Sequence, residues 1–417
     1  MTRSRLHLLA SRIFRALWFR PALYALAALA ALAAAPFVAH LLPDGLMKLI
    51  GLKGVYDLLN ALANTLLAVA IFSLGILAAS LRSASQSASP RVRPLLATDP
   101  TARNAISTFI GGFVFSVVGI VILSTGYYSD AAKVLLFFMT CLLILALILA
   151  LVRWIGRLGR LGGVSESIDL AEEATRRALL DLADEPFLGG RPWDGAPESG
   201  ISLEPRRPGF VHAVDVERLG KAAKDLDLDL HLCARPGAFA GPGRPLLLAS
   251  RRLPADEQDR IRGAFVMGGR RTFEADPRFG LVVLSEIASH ALSPAVNDPG
   301  TAIDVITTST RLLCEWGDVA SRARPPLRCP RLHVRPVTTE HLLEDAFGSI
   351  ARDGVGQAEV QAWLLKGLRM MVEQDEARFG PAARRLAREV LARAERASLL
   401  PSELAELQRS ASGLGTA

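Results

Sequence analysis

The chain has 417 residues, half of them hydrophobic, and carries a formal net charge of +7. Its arginines concentrate at the ends of apolar stretches without an aromatic stacking platform, which excludes a nucleic-acid-binding protein. The four cysteines form no Cys-x-x-Cys pair, so neither a disulfide framework nor a zinc site is indicated.

Four stretches without Asp, Glu, Lys or Arg dominate the first third of the chain. Each is long enough to cross a hydrocarbon core of about 30 Å, which takes about 20 apolar residues. The sequence therefore predicts a transmembrane domain over residues 1–160. Its four predicted spans lie at about 21–43, 58–81, 104–126 and 134–153.

The basic residues between the spans predict the topology. Arginines precede the first span, separate the second from the third and follow the fourth, whereas the opposite connections carry only Lys48, Lys53 and Lys133. Because cytoplasmic loops are enriched in Lys and Arg, both termini are predicted to be cytoplasmic. A signal peptide is the competing interpretation of the N-terminal region, and the three further spans disfavour it.

The third span differs from the fourth in its small residues. Thr108, Gly112 and Ser116 recur at every fourth position, a pattern that lets another backbone approach closely. The fourth span is bulky throughout, so we expect the third at the centre of the bundle and the fourth toward lipid. Alternatively these positions line a path, together with Gly111 and with Asn64 of the second span. No span carries an embedded charge, so an ionisable proton relay has no candidate residue.

A small β unit is predicted at residues 205–252, after a helical linker and irregular connection at 161–204. Its order is a strand, a helix capped by Asp215, a strand with alternating leucines, a glycine-rich turn and a last strand. This order looks like the barrel-sandwich hybrid of lipoyl-like domains, although no lysine lies at a hairpin tip for covalent attachment. His212 and His231 could face each other on neighbouring strands, but two histidines without a third ligand are weak evidence for a metal site.

The rest of the chain is predicted to be a cytoplasmic helical domain at 253–400, followed by a partly disordered tail at 401–417. One helix is expected at 256–267 and another at about 278–292, where Ser-Pro ends it. The predicted fold is thus an α-helical membrane protein of four transmembrane helices with a cytoplasmic α+β region.

The loop after the second of these helices is the best candidate site outside the membrane. It lies beside the N-terminus of the next helix, whose free N–H groups favour anions. Its polar residues are Ser293, Asn297, Asp298 and Thr301. A second polar cluster contains Arg270, Arg271 and Asp276. We hypothesise a pocket between the clusters for an anionic metabolite or lipid headgroup; the alternative is that Asp298 caps a helix and the arginines pair with carboxylates.

No catalytic constellation is evident in the sequence. The histidines lack the His-Glu-x-x-His spacing, and neither a Gly-x-Ser-x-Gly motif, a phosphate loop nor a dinucleotide fingerprint occurs. We therefore expect neither an enzyme nor a bound metal or cofactor.

Several motifs resemble those of one family, in the same order. They are the Trp-Phe-Arg-Pro of residues 18–21, the Ala-Ser to Pro-Arg run of 79–91, the Gly- and Phe-rich 108–114, and 208–211, 273–279 and 291–299. Over roughly residues 18–370 the chain resembles the domain of unknown function 2254 family of bacterial predicted membrane proteins. His290 departs from the arginine expected there in many relatives. The resemblance implies a bacterial membrane protein without implying a chemistry.

Two functions of different classes remain open. In the first, an integral inner-membrane protein uses its spans to anchor a cytoplasmic ligand- or partner-binding region that acts as a sensor or scaffold. The alternative is an oligomeric channel or transporter, with spans two and three lining the path and the cytoplasmic region gating it. The uncharged spans favour the first. Expected partners are the lipid bilayer, anionic lipid headgroups and further copies of the chain.

Overall fold

The computed structural model describes residues 52–125, 130–193, 200–323 and 327–415, with scattered helical positions between 22 and 34. Most of the predicted first span lies outside the described residues. The chain divides into two compact units, which we call the membrane unit and the C-terminal unit. The membrane unit comprises Met1–Ala84 and Arg93–Gly163, and the C-terminal unit comprises Ser85–Val92 and Val164–Ala417.

Three described helices of the first part of the chain are long and apolar enough to cross a membrane. The helices here are α1 (Leu52–Ser87), α2 (Arg93–Ala97), α3 (Pro100–Ser124) and α4 (Asp130–Leu158). The three candidate spans are α1, α3 and α4, and they correspond to the second, third and fourth predicted spans.

Helix α3 is the most buried of the candidate spans. In its most apolar window 61% of the residues are buried, against 28% in α4 and 17% in α1. Phe109 and Phe115 are among the largest fully or almost fully buried side chains. In the described part of the bundle, α3 therefore takes the central position that its small residues predict.

A buried ion pair joins the start of α3 to the end of α4. Asp99 caps α3 by accepting a hydrogen bond from the backbone N–H of Ala102 at 2.8 Å. Its second oxygen accepts from Arg157 Nε at 3.0 Å and Nη2 at 2.8 Å. Because Asp99 is only 6% exposed, removing the arginine would leave a buried carboxylate without this partner.

The C-terminal unit combines short strands with a helical bundle. Its helices are α5 (Val164–Asp184), α6 (Val216–Asp225), α7 (Ala255–Arg262), α8 (Pro277–Ala291), α9 (Pro299–Arg322), α10 (Thr339–Asp353), α11 (Ala358–Gln374), α12 (Glu376–Ala394) and α13 (Pro401–Ser412). Its strands are β1 (Arg191–Pro192), β2 (Ile201–Leu203), β3 (Gly209–Val214), β4 (Leu230–Leu232), β5 (Phe239–Ala240), β6 (Leu247–Ala249), β7 (Phe265–Gly268) and β8 (Leu332–Val334).

The strands form two sheets rather than a β unit confined to residues 205–252. The five-stranded sheet has the order β1-β8-β4-β6-β2, with β8 parallel to both neighbours, and the three-stranded sheet has the order β5-β3-β7. Strands β1, β2, β7 and β8 lie outside the predicted range, and a barrel-sandwich arrangement is not confirmed. The prediction missed β8 because its three residues carry no alternating pattern longer than one repeat.

His212 and His231 do not face each other, because their strands β3 and β4 belong to different sheets. His212 lies on β3 and donates from Nε2 to the carbonyl oxygen of Arg270 at 2.7 Å. His231 lies on β4 in the other sheet and stacks on His333 of β8, with ring centroids 4.6 Å apart. His231 has His333 as its neighbour because β4 pairs with β8. The two strands are far apart in sequence, so local sequence patterns do not predict this pairing.

Two further segments differ from expectation. The helix predicted over 256–267 ends at Arg262, and Phe265–Gly268 becomes a strand that pairs with β3. Gly263 follows the helix, and aromatic and β-branched residues suit the strand. The tail predicted as partly disordered contains α13, whose Leu407 and Ala411 are buried.

Helix α8 lies inside the bundle and packs on α5, α9 and α10. Its apolar face includes Leu281, Leu284 and Ile287, each fully buried. Asp276 caps it through the backbone N–H of Phe279, with Pro277 at the first helical position. Helix α8 thus positions Asp276 at its N-terminal end and the loop that begins at Ser293 after its C-terminal end.

Candidate functional site

The loop from Ser293 to Asp298 has a defined conformation built from its own backbone and side chains. Backbone N–H groups of Val296 and Asn297 donate to the carbonyl oxygen of Ser293 at 3.0 and 2.8 Å. Asn297 has a φ of 51°, which asparagine tolerates better than most residues. The loop polar atoms are therefore placed by the fold.

Asp298 occupies the N-terminus of α9 with its own carboxylate. Its two oxygens accept from the backbone N–H of Thr301 at 3.1 Å and from the Thr301 hydroxyl at 2.6 Å. These hydrogen bonds, chiefly the one from the hydroxyl, lower the pKa of Asp298. An anionic ligand would have to compete with this carboxylate, so the capping interpretation accounts for Asp298 and Thr301.

Polar side chains that the sequence did not single out contact the loop or lie close to it in the chain. Gln357, which precedes α11, donates from Nε2 to Asn297 Oδ1 at 2.9 Å. Gln361, one turn further along α11, is 1% exposed, and neither atom of its amide has a hydrogen-bond partner among the described residues. His290 Nδ1 is likewise buried without a described partner. Buried polar side chains are normally hydrogen-bonded, so Gln361 and His290 each have unused hydrogen-bonding capacity.

The second predicted cluster lies at the other end of α8. Arg271 donates from Nε and Nη2 to the two oxygens of Asp276 at 2.8 and 3.0 Å, and its guanidinium lies over the Phe279 ring. The 15 residues of α8 separate Asp276 from Ser293 by about 22 Å at 1.5 Å per residue. The two clusters therefore do not enclose one pocket. The carbonyl oxygen of Arg270 accepts the hydrogen bond from His212. A ligand-binding role for Arg270, Arg271 and Asp276 stays a prediction.

The connecting segment Ser85–Val92, which begins with the last three residues of α1, belongs to the C-terminal unit. Ala88, Ser89 and Val92 are buried within it. Ser89 donates to Glu286 of α8 at 3.3 Å, and Arg91 forms an ion pair with the same carboxylate.

His290 lies four residues after Glu286 in α8. Residues four apart lie on the same face of a helix, so the two side chains share one face of α8. The face of α8 that holds the connecting segment thus leads to the candidate loop. Sequence reasoning missed Glu286 because its partner Arg91 lies 195 residues away.

In the membrane unit the small residues of α3 act in packing. A side chain at Gly112 would meet Leu66 of α1 at 2.8 Å, and the hydroxyl of Ser116 donates to the carbonyl oxygen of Gly112. Thr108 bonds its own helix in the same way. Gly111 is buried beside them, whereas Asn64 is exposed among the described residues and bonds Asn60. Whether any of them lines a path stays a prediction.

No group of three metal-ligating side chains occurs within the described ranges. The stacked His231 and His333 are accompanied by Asp229, 3.9 Å from His333 Nε2. Burial, and then the neighbouring His333, lower the pKa of His231. These surroundings therefore favour the neutral imidazole of His231.

Three long apolar helices joined to a mixed α/β unit define a multi-pass membrane protein. The chain belongs to the family described as predicted membrane protein DUF2254, whose model matches residues 15–370. It is similar to uncharacterised proteins of Mycobacterium bovis and Mycobacterium tuberculosis, at 28% identity over 289 residues. These matches cover 66% of this chain and 53% of each relative, so the chain spans about half the length of those relatives. No solved structure matches the chain.

Proposed function

We propose that this chain is an inner-membrane sensor or scaffold, in which the spans anchor a cytoplasmic C-terminal unit that binds a ligand or partner. In this proposal the loop from Ser293 to Asp298 and the amides of Gln357 and Gln361 form the binding region. The connecting segment relays the state of that region to the spans. No catalytic step is part of the proposal.

The observation that carries the proposal is the attachment of the connecting segment to α8. The connecting segment, which contains the last residues of α1, is held by Glu286, about two helical turns before the candidate loop. A change in the position of α8 would therefore pull on a segment that is continuous with a span. A pure anchor would not need this attachment.

The ligand chemistry favoured at the loop is neutral and hydrogen-bonding rather than anionic. The unused groups are amide and imidazole atoms of Gln361 and His290, and the nearest helix N-terminus is already occupied by Asp298. A ligand offering both donors and acceptors would satisfy them.

Hydrogen exchange of the full-length protein in lipid nanodiscs tests the relay. Replacing Glu286→Gln removes the charge that holds Arg91, so we expect faster exchange of backbone amides in the connecting segment. The matched control is Glu315→Gln, since Glu315 pairs with Arg176 inside the same unit at similar exposure. If both variants change the connecting segment equally, or neither does, the relay is wrong.

The channel alternative has weaker support. The hydroxyl groups of Thr108 and Ser116 in α3 donate to carbonyl oxygens of their own helix. Leucine side chains of α1 pack against Gly112 and Gly119. Such groups offer little to a permeating solute. Ion or solute flux through reconstituted protein, abolished by a bulky residue at Ser116, would restore the channel hypothesis.

A further inference from the structure

A groove with a surplus of arginines lies in the C-terminal unit, away from the α8–α9 loop in sequence. We call it the arginine groove; its volume is about 630 Å³. Its lining includes Arg206, Arg207, Asp259, Arg262, Gly263 and Met267. Three guanidinium groups face one carboxylate, and this volume falls in the range that small-molecule sites occupy.

One wall of the groove is rigidly placed. Arg262 donates to the carbonyl oxygen of Glu204 at 2.9 Å, to Asp259 at 3.1 Å and to the side chain of Gln258 at 3.2 Å. A fourth guanidinium, that of Arg218, donates to the carbonyl oxygen of Gly263 at 3.2 Å. These arginines do not have to be ordered by a ligand, which lowers the entropic cost of binding.

The remaining arginines are available to an incoming anion. Arg206 is 74% exposed in its side chain and shares Asp259 with Arg262. The two arginines lower the pKa of Asp259, Arg206 most strongly, so its carboxylate is ionised and neutralises only one charge. Arg207 is exposed and has no ionic partner among the described residues.

We propose that the arginine groove binds a phosphate-bearing ligand. Guanidinium groups match the oxygens of phosphate through paired N–H donors, better than a point charge does. The partly buried side chain of Met267 adds an apolar surface beside the charges. The ligand is either a free phosphate compound or the phosphate of a lipid headgroup, and both present the same oxygens to Arg206 and Arg207.

The test uses the full-length protein and two probes. Inorganic pyrophosphate is titrated calorimetrically against protein in phosphatidylcholine nanodiscs. Separately, native mass spectrometry counts phosphatidylglycerol retained by protein from mixed phosphatidylcholine and phosphatidylglycerol nanodiscs. Arg207→Glu should weaken the responding probe about tenfold, the effect of losing one charge-assisted contact. Asp259→Asn should strengthen it, because Arg206 is released.

The control is Arg396→Glu, the same change of charge at an exposed residue beyond the end of α12. Weakened pyrophosphate binding in Arg207→Glu alone identifies a free phosphate ligand. Reduced retention of phosphatidylglycerol in Arg207→Glu alone identifies a headgroup. Equal losses in Arg207→Glu and Arg396→Glu, or no binding of either probe to the unaltered protein, would overturn the proposal. These outcomes are independent of the loop and of Glu286.

Discussion

Asp298 shows how a residue suited to a ligand site can be used by the chain itself. Its acidic side chain before Pro299 predicts a helix cap, and that cap is what its hydrogen bonds to Thr301 form. The same carboxylate weakens the case for an anion at this helix N-terminus. Asp215 was also predicted as a cap and accepts from the backbone of Arg218. Helix caps can be predicted from the sequence because they depend only on residues within one helical turn.

Replacing Asp298→Ala should lower the free energy of unfolding by about 1 kcal/mol at neutral pH. Because the folded pKa is lowered, the carboxylate stabilises the protein above its unfolded pKa of about 4, and this contribution is lost as the pH falls through the folded pKa. Denaturant unfolding of the unaltered protein and of Asp298→Ala, at pH 7 and in acid, measures the difference in the free energy of unfolding. An equal difference at all pH values would contradict the role of the charge.

Gln361 is the residue whose importance the sequence hides, because it stands among apolar residues of a buried helix face. An amide buried without a partner costs about 1–3 kcal/mol. Gln361→Leu should therefore leave the thermal stability of extensively dialysed protein unchanged or raise it. The control is Gln374→Leu, since Gln374 donates to Cys314 and Asp318 and its loss should be destabilising. Destabilisation of Gln361→Leu to the same degree would show that the native amide is satisfied.

At the scale of elements, periodicity predicts the long helices and misses the short strands. The candidate spans α1, α3 and α4 and the bundle helices α8 and α9 follow from uncharged runs, apolar spacing and proline positions. Strands β1 and β8 pair across about 140 residues of chain, and only their tertiary contact defines them. The same holds for the ion pair between Arg91 and Glu286. Local patterns cannot select partners at such separations.

The packing of α3 against α1 gives a prediction for these elements. Gly112→Leu should destabilise the protein in detergent by about 1–3 kcal/mol, because the added side chain meets Leu66 in a filled interface. Gly75→Leu is the control, since no atom lies within 4 Å of its added Cβ in the described structure. The midpoint of thermal unfolding of both variants distinguishes them. Equal unfolding midpoints for the two variants would contradict a packing role for Gly112.

At the scale of the whole molecule, the positions of the arginines predict an orientation. If both termini are cytoplasmic, a reporter enzyme that is active only in the periplasm should be inactive when fused after Ala417. The same reporter inserted between Ser129 and Asp130, before α4, should be active, because the connection between the third and fourth predicted spans has few basic residues. The opposite pattern of activity would reverse the topology and place the C-terminal unit outside the cytoplasm.

The central claim is that the candidate loop communicates with the connecting segment through α8. The most direct measurement is hydrogen exchange of Ser85–Val92 in full-length protein in nanodiscs after Asn297→Gly. This change removes the acceptor of Gln357 and keeps the positive φ. Asp345→Asn is the control, because Asp345 pairs with Arg278 at the opposite end of α8. We predict altered exchange of the segment in Asn297→Gly alone; exchange unchanged from that of the unaltered protein would contradict the account.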